Sequence, residues 1–458
     1  MRKLAKKSRM VKVSGKDALW ILDLIDSPDV AADLNYNADY LVAKASGVAW
    51  GKGLCVACKG AKYLCGKARC PLIVRLKHYF QTVPLIEGTD VDGASPPGVF
   101  VGRMGYPYVY AGPLVPPVHE DTSLYDLPEF WFGKSIDEIV SFRAMLIRGK
   151  HRVHVRKFED AGKIMERTRE LALSARSIDV ELALKKIPSR RFVLDAEVQP
   201  FGPSALIKDL NVGSGRWDHQ IEKAYDDTDL KAADAVLGLY ERGVLVSRIQ
   251  RAFSVGAFGL EDNRRLVPTR WSITAVDSIV SKDMIEQIKT FPEINEYRVY
   301  ESRYLDNRFE VLMIPSAWSY EAMEAWYPGT VWNPSDRHIV MFSDWEGFER
   351  RTQYASIGGC YYAARLAVGE LLKKERRQAT VIVLREAHPG YIMPVGVWQV
   401  RENVRNALKQ RPLKFNTLEE ALACVASRFQ IPLGTWISRS KLLQDALFQK
   451  RISEYFRG

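Results

Sequence analysis

Long apolar runs are missing from this 458-residue sequence. A helix that crosses a bilayer needs ~20 consecutive apolar residues, and no segment approaches that length. The basic residues 1–16 are also not followed by the apolar stretch that a secretory signal requires. We therefore expect an intracellular, cytoplasmic protein without a membrane partner.

Familiar catalytic signatures are missing as well. The sequence contains no P-loop, nucleophile elbow, zinc-protease helix or dinucleotide-binding fingerprint. Its seven histidines are scattered, and none forms a metal-binding pair at helical spacing. Internal repeats and low-complexity tracts are absent too. No standard motif therefore assigns a reaction to the chain.

Acidic residues are absent over one long stretch, between Asp39 and Glu87. The whole chain carries a formal charge of +11, which favours anionic partners, with nucleic acid the first candidate. The acid-free stretch is predicted to face phosphates, and a solvated basic surface is the alternative. Its eight basic residues are Lys44, Lys52, Lys59, Lys62, Lys67, Arg69, Arg75 and Lys77.

Four of the six cysteines lie in this stretch, within sixteen consecutive residues. Cys55, Cys58, Cys65 and Cys70 have the spacing C-x2-C-x6-C-x4-C. An intracellular chain keeps its thiols reduced, so the spacing predicts a zinc ion held by four thiolates. With every ligand supplied by protein, such a zinc ion is structural. An iron–sulfur cluster and a redox pair are the alternatives.

Hydrophobic periodicity predicts a multidomain protein with a mixed α+β body. Strand-like segments such as "GVFVGR" and "ATVIVLRE" are interspersed with amphipathic helices, two of which begin with capping boxes, Ser135/Glu138 and Thr417/Glu420. A β-hairpin is predicted over residues 296–314, with its turn at Asp306-Asn307. The segments "HIVMFSD" and "ATVIVLRE" are predicted strands on either side of the helix "GGCYYAARLAVGELLKKERR". The predicted regions are a zinc module (1–88), a central α/β domain (89–330), a C-terminal α/β domain (331–440), and a helix with a terminal peptide (441–458).

Arginines beside aromatic or glycine residues are candidate phosphate contacts. Arg264, Arg265 and Arg270 precede Trp271, and this combination can clamp phosphates and stack a base. A packed tryptophan with surface arginines is the alternative. Arg103 lies between glycines that would let a backbone approach a ligand, although the same glycines would also serve turns.

Acidic and histidine residues supply weak candidates for catalysis. Asp195 and Glu197 share one face of a predicted strand, an arrangement that nucleases use to hold a divalent ion. Asp336, His338 and Asp344 cluster in sequence, and His388 follows a predicted strand. They would support a nuclease or other phosphodiester hydrolase that uses Mg²⁺ or Mn²⁺. Acids on half-exposed strands are more often surface residues.

The last ten residues, "QKRISEYFRG", contain two adjacent aromatics close to the terminus. Gln449, Ile452, Tyr455 and Phe456 match the pattern Q-x-x-aliphatic-x-x-aromatic-aromatic. This pattern resembles the peptide by which replication and repair proteins bind the sliding clamp (PCNA). In one 3₁₀ turn, residues three apart share a face, so the apolar side chains would form a single plug. A terminal helix that packs its aromatics inward is the alternative.

Several long segments of the sequence are distinctive. They are "CVACKGAKYLC", "VFVGRMGYPYVYAGPLVPP", "RRLVPTRWSITAVD", "AWYPGTVWNP", "VGVWQVRENVRNAL" and the tail. Together these segments resemble the archaeal Nre family of DNA repair proteins. The resemblance implies a zinc-containing N-terminal region, a C-terminal region, and recruitment to the clamp during repair.

Three functional hypotheses follow from the sequence. The first is a clamp-recruited repair factor that binds DNA through basic surfaces and the zinc module. The second is a repair nuclease or other phosphodiester hydrolase. The third, a nucleotide-binding scaffold without DNA contact, leaves the charge and the tail unexplained.

Overall fold

The computed structural model describes most of the chain beyond the N-terminal region. The described residues are 67, 69–86, 88–157, 161–188, 201–330, 332–333, 337–349 and 351–448. Within them, every helix is too short or too polar to cross a bilayer. The body combines helices with two mixed β-sheets, which confirms the predicted α+β class.

The first sheet is formed by six strands from the N-terminal half of the described chain. They are β1 (Asp90–Ser95), β2 (Val99–Val101), β3 (Tyr108–Val115), β4 (Ile147–His154), β5 (Ile178–Leu184) and β6 (Ser204–Val212). Their order across the sheet is β1-β5-β6-β4-β3-β2, and only the β4–β6 pair is parallel. Side chains alternate between a buried face and a more exposed face, as the period of a strand requires.

The second sheet also has six strands among the residues described. They are β7 (Tyr297–Tyr304), β8 (Asn307–Ile314), β9 (Ser319–Trp326), β10 (Val340–Glu346), β11 (Thr380–Ala387) and β12 (Leu413–Phe415). The order is β10-β9-β11-β8-β7-β12, with β9 and β11 parallel and the other neighbours antiparallel. Every residue of the central strand β11 is buried, so both faces of this sheet are covered.

Twelve α-helices occur in the described part of the chain. They are α1 (Pro71–Thr82), α2 (Ile136–Met145), α3 (Lys163–Leu173), α4 (His219–Asp226), α5 (Ala232–Glu241), α6 (Val246–Ser254), α7 (Thr269–Ile288), α8 (Gly359–Glu375), α9 (Trp398–Lys409), α10 (Leu418–Arg428), α11 (Leu433–Arg439) and α12 (Lys441–Phe448). Helices α7, α8 and α9 pack on one face of the second sheet, against Val381 and Val383. Helices α10, α11 and α12 cover the other face, against Ile382 and Leu384.

Glu310 on β8 is a buried carboxyl group that faces the second of these helix layers. Its side chain is 2% exposed, and its Oε2 atom has no hydrogen-bond partner among the described residues. Directly across the antiparallel pair lies Glu301, whose carboxylate accepts a hydrogen bond from Arg428 at 2.6 Å. Burial, with the like charge of Glu301, raises the pKa of Glu310 to about 8.

This carboxyl group should make stability depend on pH. The folded-state pKa lies above the unfolded value, so the stabilisation is complete below about pH 4.5 and is lost as the pH rises through about 8. Glu310→Gln cannot ionise and should remove this loss. Between pH 5 and pH 9, the free energy of unfolding of the wild type should fall by on the order of 3–5 kcal/mol relative to that of the variant. Denaturant unfolding at both pH values measures this difference.

Glu349→Gln is the matched control, because it makes the same change at an exposed position. The difference in unfolding free energy between this control and the wild type should be the same at both pH values. An unchanged difference for Glu310→Gln would show that Glu310 ionises normally in the folded protein.

Candidate functional site

A cavity of about 630 Å³ lies between the two sheets. Its walls come from β2, β4, β9 and β11 and from the first turns of α7, α8 and α9. None of these three helices has a side-chain hydrogen bond that caps its N-terminus. Helix N-termini carry a partial positive charge, so three of them meeting at one cavity favour an anion there.

Glycines allow these helix starts to approach one another. Gly358, the residue before α8, has a φ of 67°, in the left-handed region that other residues rarely adopt. A Cβ atom on Gly359 would lie 3.1 Å from Thr274 of α7 and 3.2 Å from Val397, the residue before α9. A side chain at Gly359 would push against the other two helix starts, whereas one at Gly358 would strain the backbone.

One end of the cavity wall is a buried ion pair beside a thiol. Arg385 of β11 donates to Glu324 of β9 at 2.7 Å, and its other nitrogens donate to Asn307 at 2.9 and 2.8 Å. The guanidinium also lies 4.6 Å from the ring centre of Trp326. Burial and the adjacent Glu324 raise the pKa of the Cys360 thiol, which therefore stays protonated at neutral pH.

Two further ion pairs fix arginines in the wall. Asp126 forms ion pairs with Arg143 at 2.9 Å and with Arg251 at 2.6 Å, so two cations share one carboxylate. Arg401 of α9 contacts both carboxylate oxygens of Asp277 on α7, at 2.9 and 3.0 Å.

Arg148 of β4 differs from these arginines. Its guanidinium lies between two rings, 4.0 Å from the centre of Phe100 and 4.5 Å from the centre of Phe201. Among the described residues it has no ion-pair partner, and its Nε atom has no hydrogen-bond acceptor. Burial and the nearby Arg143 lower the pKa of Arg148 to about 10, so it is still charged at neutral pH.

The more exposed face of the first sheet continues from Arg148 and is basic and aromatic. Strand parity places Arg148, Lys150 and Arg152 on this face of β4. Tyr108 and Tyr110 of β3, exposed by 52% and 39%, pair across the strands with His154 and Arg152. Lys208 of β6 is exposed on the same side. We call this surface, formed by Tyr108, Tyr110, Arg148, Lys150, Arg152 and Lys208, the basic face.

Most acidic residues on the exposed side of the first sheet lie at its other end, although Asp209 of β6 is exposed beside Lys208. Asp90 and Asp92 of β1 and Asp179 and Glu181 of β5 are the exposed positions of those strands. The sheet therefore has a basic half next to the cavity and an acidic half away from it.

The basic residues predicted from sequence have different environments. Arg270 is exposed and lines the cavity, and Arg103 is partly buried on the loop after β2. Arg264 is buried and donates to the carbonyls of Gly259 and Asp227, whereas Arg265, partly buried, donates to a neighbouring carbonyl.

Lys67 and Arg69, two of the basic residues predicted from sequence, contact the body of the protein. Lys67 is 7% exposed and donates to the carbonyl of Gly329 at 2.6 Å. Arg69 binds both carboxylate oxygens of Asp137, at 2.7 and 2.8 Å, and this hydrogen bonding lowers the pKa of Asp137. The described end of the predicted basic module is therefore attached to the body by its cations.

The described candidates for catalysis are held in separate contacts. Asp344 of β10 binds Arg351 at 2.7 and 3.0 Å and accepts the Ser356 amide, which attaches the following loop to the strand. His388 contacts Glu386 at 3.0 Å and stacks on Tyr327. The carbonyl of His338 accepts a hydrogen bond from Asn333. In the part of the chain that is described, no three His, Cys, Asp or Glu residues could hold a metal ion together.

The other predicted site residues lie outside the described residues. Cys70 is the exception among the zinc ligands: it is partly buried at the start of α1 and is not in a disulfide. The predicted zinc site stays a prediction. The residues concerned are Lys52, Cys55, Cys58, Lys59, Lys62, Cys65, Asp195, Glu197, Asp336, Gln449, Ile452, Tyr455 and Phe456.

Sequence interpretation missed Arg143, Arg148, Arg251 and Arg401 as parts of one site. A usable signal was present for Arg143 and Arg148, which lie among apolar residues in "SFRAMLIRG", whereas Arg251 and Arg401 each have polar neighbours. Four segments that carry the family resemblance also contribute to the cavity walls, at residues 99–117, 264–277, 325–334 and 395–408.

Comparison with known proteins agrees with this resemblance over most of the chain. Residues 64–333 match the family model described as "Archaeal Nre, N-terminal", and residues 346–455 match "Archaeal Nre, C-terminal". No solved structure gives a significant match.

Curated relatives match over most of their length. The "DNA repair protein NreB" of Archaeoglobus fulgidus is 44% identical over 391 residues, which cover 85% of this chain and 97% of the relative. "DNA repair protein NreA" of the same organism is 37% identical, covering 82% and 94%. "DNA repair protein NreA" of Haloferax volcanii is 33% identical, covering 79% and 89%. The chain belongs to the archaeal Nre family.

Proposed function

We propose that this protein is a DNA repair factor that binds DNA on the basic face and is recruited by the sliding clamp through its C-terminal peptide. The repair role is supported by relatives named DNA repair proteins that align along nearly the whole chain. DNA contact is supported above all by the basic face.

The basic face has the composition of a surface that holds single-stranded nucleic acid. Such surfaces combine cations that contact phosphates with exposed aromatic rings on which bases stack. Arg152 lies 5.4 Å from the ring centre of Tyr108, so a cation and an exposed ring are already adjacent. Tyr110 and Lys150 extend the same arrangement toward Arg148 and the cavity.

Recruitment by the clamp is supported by the position of α12. Its first turn is fixed by Glu321 of β9, which accepts the amides of Lys441 and Leu442 at 3.0 and 2.9 Å. The side chain of Phe448, the last residue of α12, is 74% exposed. A peptide that begins at Gln449 therefore starts from the surface of the body.

Lys150→Gln combined with Arg152→Gln should weaken binding of a single-stranded oligonucleotide by about 10-fold. The logarithm of the association constant falls with the logarithm of the salt concentration, and each lost phosphate contact makes this dependence less steep. The magnitude of the slope should therefore decrease by ~1.4 for two contacts. Fluorescence anisotropy over a range of salt concentrations measures both quantities.

Lys374→Gln combined with Arg411→Gln is the control, because it removes two exposed cations far from the basic face in the sequence. If both double variants lost the same affinity, only net charge would matter. That result, or binding by the wild type that does not respond to salt, would reject the basic face as the DNA contact.

A further inference from the structure

We propose that the cavity between the sheets binds one nucleotide, with its phosphate at Arg148 and its base among the tryptophan rings. The inference deepens the function proposed above, because the basic face would deliver the nucleotide as part of a DNA strand. A free nucleotide presents the same chemistry, and the experiment separates the two sources.

The charges at one end of the wall favour an anion. Leaving Arg270 aside, five arginines line the cavity, at positions 143, 148, 251, 385 and 401. Arg385 and Arg401 have carboxylates of their own, those of Glu324 and Asp277. Arg143 and Arg251 share Asp126, and Arg148 has no ion-pair partner among the described residues, so three cations at this end face one carboxylate. Since a desolvated charge without a partner is costly, a bound phosphate would stabilise this arrangement.

Arg148 is the group best placed to hold that phosphate. Stacking between Phe100 and Phe201 fixes the plane of its guanidinium, so little side-chain entropy is lost when a ligand binds. The planar fork of an arginine matches two phosphate oxygens. In the other wall arginines, carboxylates already occupy this coordination, as Glu324 does for Arg385.

The amide nitrogen of Gln399 is a second polar group in the wall that has no partner among the described residues. Gln399, in the first turn of α9, is fully buried, and its Nε2 donors have no acceptor among the described residues. Its Oε1 atom accepts a long contact from Arg385 at 3.4 Å, which leaves the amide nitrogen for a ligand. Buried donors are almost always satisfied in proteins, so this one indicates a bound acceptor.

The aromatic lining indicates that the ligand carries a flat ring system. Trp131, Trp271, Trp326, Trp332 and Trp398 all line the cavity. Inorganic phosphate would contact none of these rings, and an apolar ligand would leave the arginines unpaired. A volume of about 630 Å³ falls within the range of ~300–1,000 Å³ that small-molecule sites occupy. A base joined to a phosphate uses both parts of the wall.

The cavity also connects with the basic face. Arg148 and Phe100 line the cavity and lie on the same side of the first sheet as Lys150 and Tyr110. A strand held on the basic face would therefore reach the cavity at Arg148. Enzymes and readers of damaged DNA take single nucleotides out of the stack into such pockets.

Arg148→Met is the decisive variant. Binding of dAMP, measured by titration calorimetry, should weaken by about 10- to 100-fold because a charged hydrogen bond is lost. The melting temperature should stay unchanged or rise, because the change removes a buried charge that lacks a partner. Gln399→Met tests the second donor at similar volume. Arg411→Met makes the same charge change at an exposed position and should bind dAMP as the wild type does.

The second arm uses DNA that contains 2-aminopurine, either in a single strand or unpaired in a duplex. Quenching of its fluorescence in the wild type but not in Arg148→Met would identify a nucleotide of DNA as the occupant. Binding of dAMP without such quenching would identify a free nucleotide. If Arg148→Met bound both ligands like the wild type, or if inorganic phosphate bound as tightly as dAMP, the proposal would be overturned.

The failure of this inference can be told apart from failure of the proposed function. A variant with Tyr455→Ala and Phe456→Ala should bind dAMP normally whether or not the clamp is a partner. The Lys150→Gln and Arg152→Gln variant should likewise bind free dAMP normally, because those side chains lie outside the cavity wall.

Discussion

Replacing Arg401 by methionine should lower the free energy of unfolding by about 3–5 kcal/mol, the cost of leaving one member of a buried ion pair alone. Asp277 is 0% exposed and Arg401 is 1% exposed, so water cannot solvate the charge that remains. After the substitution, the hydrogen bond from Gln250 at 2.9 Å would be the one that Asp277 keeps among the described residues. Guanidinium unfolding followed by circular dichroism measures the loss.

Substitution of the partner residue, Asp277→Leu, should lower the free energy of unfolding by less than Arg401→Met does. Arg401 has a second carboxylate within reach, because its Nε atom lies 3.4 Å from Glu402. The double variant Arg401→Met with Asp277→Leu should recover much of the loss, because the unpaired Asp277 carboxylate is removed as well. The two sites are in contact, so the cycle should be strongly non-additive.

Arg411→Met is again the matched control, and its exposed side chain should change the unfolding free energy by less than about 0.5 kcal/mol. Single variants at 277 and 401 that each cost less than about 1 kcal/mol, or a double variant that equals their sum, would mean that the pair does not hold α7 and α9 together.

Local structure was predictable where the signal lay within a few neighbouring residues. Both capping boxes form, with the Ser135 and Thr417 side chains each accepting the amide three residues later. The hairpin over residues 296–314 also forms. Its turn was predicted at Asp306-Asn307 but consists of Leu305 and Asp306, whose φ values are 51° and 52°. Two consecutive positive φ values are the property of a two-residue hairpin turn.

Long-range arrangement was not predictable from the same patterns. The strands predicted on either side of α8 exist as β10 and β11, but β9 lies between them in the sheet. The domain boundary predicted near residue 330 stays a prediction: the two family models divide between residues 333 and 346, whereas β9 and β10 pair along seven residues across this division. Strand pairing depends on contacts between distant segments, which a local period does not encode.

The cavity illustrates the same division. Arg270 and Trp271 were selected because they are adjacent in sequence, and both line it. Arg148 lies far in sequence from Gln399 and Arg401, and no motif includes all three residues. Only the meeting of three helix starts between two sheets brings them into one site. Arg264, adjacent to Arg265 in sequence, is instead buried and donates to the carbonyls of Gly259 and Asp227.

The tail carries the largest predicted effect on binding. Tyr455→Ala combined with Phe456→Ala should weaken binding to the purified sliding clamp by at least ~100-fold, because two buried aromatic anchors of an interface are lost together. If the peptide binds as one 3₁₀ turn, Ile452, Tyr455 and Phe456 would enter a single apolar pocket, and Gln449 would hydrogen-bond at its edge. Titration calorimetry with the clamp of the same organism measures the affinity.

Phe448→Ala provides the matched control for this experiment. Phe448 is an exposed aromatic residue just outside the peptide pattern, so its removal should leave clamp affinity within about two-fold of wild type. The melting temperature of the double variant distinguishes recruitment from packing. Removing aromatic residues that contact a partner should leave the melting temperature unchanged. Removing aromatic residues that pack on the body should lower the melting temperature, as the loss of any buried side chain does. Unchanged clamp affinity together with a lower melting temperature would assign the tail to the protein's own core and remove the clamp from the proposed function.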